Sequence, residues 1–233
     1  MIGLIPLDEQ RHSKADRGLR LEADMKQQIA NTEMMALRAQ MNPHFIFNCI
    51  NCIDAMIQNN DKYLATMYLN KFARLIRNIL DSSRQNTIPL TRDLETLQLY
   101  IDMEQFRNED RFKAEIHVDE ELLEEDCRIP PLIIQPYVEN AIVHGLRHRQ
   151  DSEGLLSIRI CREGGYLIYR IEDNGVGRAA TAQKSSHRSY GMEISRDRVN
   201  LFNKQEHIPV VITDLTQDGR PTGTCVQVSL KIS

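Results

Sequence analysis

The sequence predicts an α+β protein, in which a helical hairpin precedes a two-layer α/β sandwich, and three observations carry that prediction. No glycine stands between Leu19 and Gly145, and over residues 19–106 apolar residues recur at three- and four-residue steps, the period of an amphipathic helix. Beyond about Asn108 the period drops to two in five short segments, the alternation of half-buried strands. Two helical segments interrupt those strands, as when helices pack against one face of a sheet.

Along the chain, residues 1–18 read as a flexible N-terminal segment, and residues 19–108 as a helical domain. Within it Leu21, Met25, Ile29 and Thr32 stand at near-heptad steps, the spacing of a helix that could pass a shift or rotation to its neighbour. Ile46, Ile50, Ile53 and Ile57 make one stripe, and Leu64, Tyr68, Phe72, Leu75 and Ile79 make another. Asn59, Asn60 and Asp61 lie between them and supply the turn of a hairpin. Near Thr87 and Ile88 a break is expected, because Pro89 cannot donate and clashes with the preceding turn. Leu94, Leu97 and Ile101 then resume an apolar stripe. Two helices alone bury little surface, so self-association into a four-helix bundle, a homodimer, is the simplest way to hide both stripes.

Residues 109–233 form the second domain. Strands are expected at 113–118, 155–162, 166–172, 210–213 and 225–231, with Glu163, Gly164 and Gly165 joining two of them as a tight hairpin. Helices are expected at 131–144 and 191–203. Pro131 suits a first turn, and Gly145 suits the position that ends a helix.

Composition narrows the function. With 233 residues, 41% hydrophobic and 27% charged, the chain has the make-up of a soluble globular protein. A net charge of −4 gives no electrostatic reason to expect nucleic acid or an anionic membrane as partner. No apolar run approaches the roughly 20 residues of a membrane span. A cytoplasmic location is therefore expected, compatible with being the inner part of a longer membrane receptor. Five cysteines, an odd number, do not make a disulfide framework. Cys49 and Cys52 form a C-x-x-C, but Phe45, Cys49, Cys52 and Met56 follow helical spacing with no second pair, so helix packing is the expectation.

Three constellations could carry chemistry. In the first, His44, Asn48 and Asn51 lie close to one line of a helix, about 200° from Ile46, Ile50 and Ile53. His44 is thus expected to face solvent while its neighbours fill the bundle, and Pro43 before it loosens the helix. An exposed imidazole can accept a phosphoryl group; taken alone it is an ordinary surface histidine. In the second, Asn140 and His144 share a helix face one turn apart, opposite Ile134, Val138 and Ala141. An amide oxygen there can ligate Mg²⁺ and an imidazole can reach a phosphate; the plain alternative is a histidine at the helix's negative end. The third is Asp173, Asn174, Gly175, Val176 and Gly177 directly after a strand. A buried carboxylate can accept from an exocyclic amine such as that of adenine, and glycines admit a flat ligand, although turn residues alone would look similar. Gly191 at a helix start suits a phosphate, and Gly223 with Thr224 opens the last strand. The polar stretch 178–188 has a lid's composition. There is no P-loop, and no H-R-D or D-F-G pair.

These segments, in this order, resemble the LytS-like sensor histidine kinases, whose ATP-binding domain has the Bergerat fold shared with DNA gyrase. Residues 37–48, L-R-A-Q-M-N-P-H-F-I-F-N, look like the family's phosphoacceptor motif, with His44 as acceptor. Residues 135–145 resemble its N box, residues 173–177 its G1 box, residues 189–199 its G2 segment, and Gly223 with Thr224 its G3 segment. The resemblance covers residues 34–233. It implies that ATP and Mg²⁺ are used, with Asn140 on the metal, Asp173 on adenine, and His144, Gly175, Gly177, Gly191, Gly223 and Thr224 around the nucleotide. It further implies that His44 is phosphorylated and passes the group to an aspartate of a response regulator of the LytTR type. Asn48, one turn after the acceptor, stands where an amide or hydroxyl often helps remove phosphate from that regulator. Three departures stand out. Ser189 replaces a usual G2 glycine. Pro136 stands where Bergerat-fold ATPases carry a water-activating carboxylate, which suits transfer rather than hydrolysis. Phe45, not an acidic residue, follows His44. Two rivals make different predictions: an inactive ATP-binding scaffold takes up no phosphoryl group, and a Bergerat-fold ATPase releases phosphate continuously.

Overall fold

The computed structural model describes residues 43–149, 153–177, 190–204 and 210–232. The expectations for residues 1–42, for the lid at 178–188 and for Ser189 lie outside the described residues.

The hairpin consists of α1 (Pro43–Gln58) and α2 (Lys62–Ser83). Its turn falls where the two asparagines and Asp61 placed it. Asn60 takes the left-handed conformation at φ 60°, which Asn tolerates. Asp61 caps α2 by accepting the Leu64 N–H at 3.1 Å, relieving one of the helix's orphan donors. The buried face of α1 is Phe45, Cys49 and Met56, against Tyr68, Leu75 and Ile79 of α2. The Tyr68 hydroxyl donates to Cys49 Sγ at 3.6 Å. Burial pushes the Cys49 thiol up to about 11, so at neutral pH it stays a thiol and packs. Among the described residues no cluster of His, Cys, Asp and Glu could hold a metal. The isoleucine row differs from expectation. Ile50 and Ile57 are 49% and 59% exposed and Ile46 and Ile53 half-buried, because a third helix takes the neighbouring face.

That helix is α3 (Leu90–Arg107). The chain breaks before it as Pro89 requires: Ile88 and Pro89 form β1, paired antiparallel with β3 (Arg128–Ile129). The Leu90 N–H then donates to the Cys127 carbonyl at 2.8 Å. Leu97, Tyr100, Ile101 and Met103 bury around much of α3, with the Tyr100 ring 5.1 Å from that of Phe45. A helix apolar on several sides belongs between layers, and α3 lies between the hairpin and the sheet domain.

The sheet contains β2 (Phe112–Val118), β4 (Gly154–Glu163), β5 (Tyr166–Asp173), β6 (Val211–Gln217) and β7 (Arg220–Lys231), in the order β2-β4-β5-β7-β6. Only the β2–β4 pair is parallel. A short helix, α4 (Glu120–Glu124), comes after β2. Alternation sends Leu156, Ile158 and Ile160, Leu167, Tyr169 and Ile171, and Val226, Val228 and Leu230 into the core. Arg159 and Arg170 are directly opposite one another on β4 and β5, and both are exposed. Helices α5 (Gln135–Asn140) and α6 (Tyr190–Phe202) complete the α+β architecture. The expected helix over 131–144 starts later and runs on. Pro131 lies in turns, with Leu132 at φ 57°. Beyond α5 the chain continues as a π-type turn, Ala141–Gly145, and a 3₁₀ turn, Leu146–His148. Gly145 has φ −87° and ends nothing.

Past the C-terminal end of α6, Asn203 is fully buried; its Nδ2 donates to the Ser229 carbonyl at 2.9 Å, and its Oδ1 accepts the Lys231 N–H at 2.8 Å. Asn203→Ala orphans two backbone groups of a central strand. The expected loss is about 1–3 kcal/mol, read as a lower urea midpoint at unchanged slope.

Candidate functional site

Four pieces of chain meet where β5 ends. Asp173 is its last residue, 4% exposed, registered against Leu156 on one side and Thr224 on the other. Its carboxylate accepts the Gly175 N–H at 2.9 Å and the backbone N–H of Thr224. Burial pushes its pKa up to about 6, opposed by those two hydrogen bonds and reinforced by the charge of Glu172. Two carboxylate oxygens offer about four acceptor sites, so two backbone bonds leave capacity for a ligand.

Close backbone approach explains the glycines. A Cβ on Gly145 would sit 2.7 Å from Asp173 Oδ1, and one on Gly175 would sit 2.4 Å from the carbonyl carbon of Gly145. The Val176 N–H donates to the Gly145 carbonyl at 3.3 Å. Gly145 is thus a contact surface for the carboxylate rather than a helix terminator, which corrects the expectation from its position. Gly223, at φ 148°, is within β7 rather than at its start, and a Cβ there would fall 1.8 Å from the Asp173 carbonyl oxygen. Gly177, at φ 73°, lies over Pro221, and Thr224 is buried. Asn174 braces the loop: its Oδ1 accepts the Leu155 N–H at 2.7 Å, and its Nδ2 donates to the Glu153 carbonyl at 3.3 Å.

The helical run that reaches Asp173 through Gly145 carries Asn140, half-buried at the end of α5, and His144, exposed in the π-type turn. Such turns occur frequently at functional sites. Gly191, in the first turn of α6, faces Pro136 with a would-be Cβ 3.7 Å from its ring. That is ordinary contact, so space alone does not demand glycine there. Asp173, Gly145, Gly175, Gly177, Gly223 and Thr224 therefore form one tight cluster, with Asn140, His144 and Gly191 on the two adjoining helices. The arrangement offers a desolvated acceptor held by backbone N–H groups, chemistry that suits an exocyclic amine. The half-buried Asn140 amide supplies an oxygen of the hard type Mg²⁺ takes beside phosphate.

His44 and Asn48 stand on a different element, α1, whose packing partners are α2 and, through Phe45 and Tyr100, α3. His44 is exposed as expected. The Asn48 amide nitrogen lies 3.1 Å from His44 Nδ1 and 3.4 Å from Nε2. Sequence reasoning missed Asn174 as a brace and Asp93 as a buried carboxylate. A polar residue inside an amphipathic pattern looks like solvent-facing surface until the third helix is placed.

A family model described as histidine kinase matches residues 32–112. Sensor protein LytS of Oceanobacillus iheyensis is 37% identical over 158 residues, 67% of this chain and 26% of that protein. Sensor histidine kinase/phosphatase LytS of Staphylococcus aureus strain Mu50 is 32% identical over 149 residues, 64% and 25% of the two chains. Sensor histidine kinase YpdA of Escherichia coli K12 is 30% identical over 190 residues, 81% and 32%. Among solved structures, the histidine kinase domain of Erythrobacter litoralis EL346 blue-light activated histidine kinase covers 86% of this chain and 91% of that one, at 16% identity and a TM-score of 0.46. The chain spans about a quarter to a third of the length of these curated relatives. On the family match and the 30–37% identities, the chain belongs to the LytS-like histidine kinases.

Proposed function

We propose that this chain is the kinase core of a sensor histidine kinase, which binds Mg-ATP at the Asp173 cluster and transfers the γ-phosphoryl group to His44. The observation that carries the reading is Asp173 itself: a buried carboxylate with spare acceptor capacity, set against glycine backbone, in a chain that also exposes a histidine beside an amide. Asp173 accepts from the adenine amine, and Gly145, Gly175 and Gly223 let the backbone close around that carboxylate. Asn140 holds Mg²⁺, which when bound neutralises phosphate charge, and His144 and Gly191 line the phosphate side. Asn48 fixes the His44 ring. With the amide turned so that its oxygen accepts the Nδ1–H, the Nε2 lone pair is the nucleophile for in-line attack.

The rest of the reading concerns assembly. Residues 19–108 act as the signalling and dimerisation domain and residues 109–233 as the nucleotide domain. The open row of Ile50 and Ile57, with Phe47 66% and Leu69 49% exposed, suits a second copy of the hairpin and hence a four-helix homodimer. The acceptor of the phosphoryl group is an aspartate of a LytTR-type response regulator. Among the described residues no helix is long and apolar enough to cross a membrane, and the short span of the longer relatives suits the cytoplasmic part of a receptor.

Incubation with Mg-ATP labelled in the γ position tests the central step. The wild type should take up one acid-labile, base-stable phosphoryl group per chain and His44→Gln none, at unchanged ATP affinity. Label retained in the variant removes His44 from its role, and continuous phosphate release would favour the ATPase rival.

Asp173→Asn replaces an acceptor by a group that presents a donor, so ATP affinity should fall roughly 10- to 150-fold, the worth of a hydrogen bond to a charged group at about 1.5–3 kcal/mol. The free site binds a proton with a pKa of about 6, and only its carboxylate form accepts. Affinity should therefore hold from pH 8 to 7 and fall below pH 6, approaching tenfold per unit. Titration calorimetry across that range should show the fall in wild type and a flat profile in the variant.

Asn48→Ala removes one neutral hydrogen bond at an exposed site, about 0.5–1.5 kcal/mol, so autophosphorylation should stay within roughly tenfold. The relative from Staphylococcus aureus is named a kinase/phosphatase; a regulator phosphatase activity in this chain should be largely lost in the variant. Proportional loss of both activities with a lower melting temperature would leave Asn48 only a structural part.

A further inference from the structure

The peptide unit between Pro131 and Leu132 is clamped on both sides. Its N–H donates to Asp93 Oδ1 at 2.8 Å, and its C=O accepts from Arg198 Nη2 at 2.9 Å. Asp93 stands in the first turn of α3 and is 3% exposed. Arg198 is half-buried on α6. One hydrogen-bonded line thus runs from a carboxylate through a single amide to a guanidinium, and a chain of this kind polarises along its length. Its two ends belong to different helices, α3 and α6. At one end α3 carries Tyr100, which touches Phe45 beside His44. At the other, α6 carries Gly191 over Pro136. Three residues beyond Leu132, α5 begins at Gln135 and leads to Asn140.

Three further observations show that this line is built rather than incidental. Leu132 is held at φ 57°, a left-handed conformation that a branched residue adopts only where its surroundings impose it. Asp93 is almost fully removed from water, which is costly for a carboxylate unless bonded and compensated, and the Leu132 N–H and the charge of Arg198 do both. Burial raises its pKa to about 6 while those two groups lower it. The segment on either side is fastened as well, by the β1–β3 pair and the Leu90–Cys127 bond.

We propose that Asp93 and Arg198 are positioning residues which, through the Pro131–Leu132 amide, couple α3, the helix that packs on the hairpin bearing His44, to the helices α5 and α6 beside the nucleotide cluster. Asp93 touches neither substrate nor reacting atoms. A displacement of α3 pulls on the amide, and through it on the start of α5 and the flank of α6, so nucleotide occupancy and hairpin position are read by one another. The kinetic part of this inference rests on the kinase reading above; the structural part does not.

The test uses Asp93→Asn and Arg198→Gln. The amide introduced at position 93 would still accept the Leu132 N–H but would offer Arg198 no charge, and Arg198→Gln removes the guanidinium at the other end. Backbone hydrogen exchange over residues 90–101 is measured with and without adenylyl imidodiphosphate and Mg²⁺. In the wild type the analogue should slow exchange there at least threefold. In each variant that slowing should vanish while analogue affinity stays within threefold. Under saturating ATP the variants should lose at least tenfold in kcat of autophosphorylation with KM within threefold, at a folded fraction unchanged by circular dichroism, which separates the loss from simple destabilisation. Equal slowing in wild type and variants, or none in the wild type, overturns the coupling. A wild type that slows exchange but takes up no phosphoryl group instead defeats the kinase reading and leaves the coupling standing.

Discussion

A carboxylate taken out of water at the end of a central strand sets most of the geometry described above. Asp173 is 4% exposed and carries a charge at neutral pH despite a raised pKa, so its desolvation has to be offset locally. Side chains do not do it. The hydrogen bonds come from the backbone of residues 175 and 224, and for those N–H groups to arrive the chain has to pass closer than a Cβ permits. The constraint spreads outward from there. Gly145 and Gly175 have to touch, Gly223 has to lie on the Asp173 carbonyl, and Asn174 has to hold the loop onto β4. The sheet order serves the same end, because β5 is flanked by β4 and β7 on both sides. Asp173 is thereby held by two ladders, and an acceptor that cannot move discriminates between donors.

The third helix changes the meaning of the hairpin. Two stripes on two helices suggest a pair that hides both by finding a second pair. With α3 present, one face of α1 is satisfied by Phe45, Cys49 and Met56 inside the chain, and the isoleucine row is left at the margin. The protein therefore has two apolar seams at the hairpin, one closed and one open, about a quarter turn apart. Exposed Ile50 and Ile57 are scattered residues on a monomer but a row on a helix, and the homodimer proposed above rests on that row.

How much the sequence discloses depends on what periodicity measures. The five strands are legible because each buries one face, and alternation has no competing explanation at period two. The hairpin turn is legible because Asn60 and Asp61 do specific local work, a left-handed residue and a cap. The cluster around Asp173 is legible in part: its residues can be named, but the reason for Gly145 cannot. Its place after a helical run looks like a terminator, and only the approach of a distant strand shows that it is a contact. The isoleucine row misleads and Asp93 is overlooked for one shared reason. Helical periodicity reports that a face is apolar without reporting which neighbour covers it, and a carboxylate among leucines becomes buried only when another layer closes over it.

The two candidate sites occupy different elements, and that separation is itself informative. On the kinase reading proposed above, a site that holds adenine gains from rigidity, and the Asp173 cluster is fixed by backbone bonds on three sides. A nucleophile that must meet both a nucleotide and a separate protein gains from exposure, and His44 is exposed on a helix with Asn48 beside its ring. Both requirements cannot be met on one rigid surface, because a histidine fixed against the nucleotide is closed to any other partner. Placing them on separate elements resolves the conflict but creates a need for communication between those elements. The Pro131–Leu132 amide lies at that junction, with a charged side chain from α3 on one side and from α6 on the other. An ion pair spanning the junction directly would require two long side chains to be ordered. A peptide unit between them is already ordered by the chain, so movement at one end reaches the other with little lost to side-chain rotation.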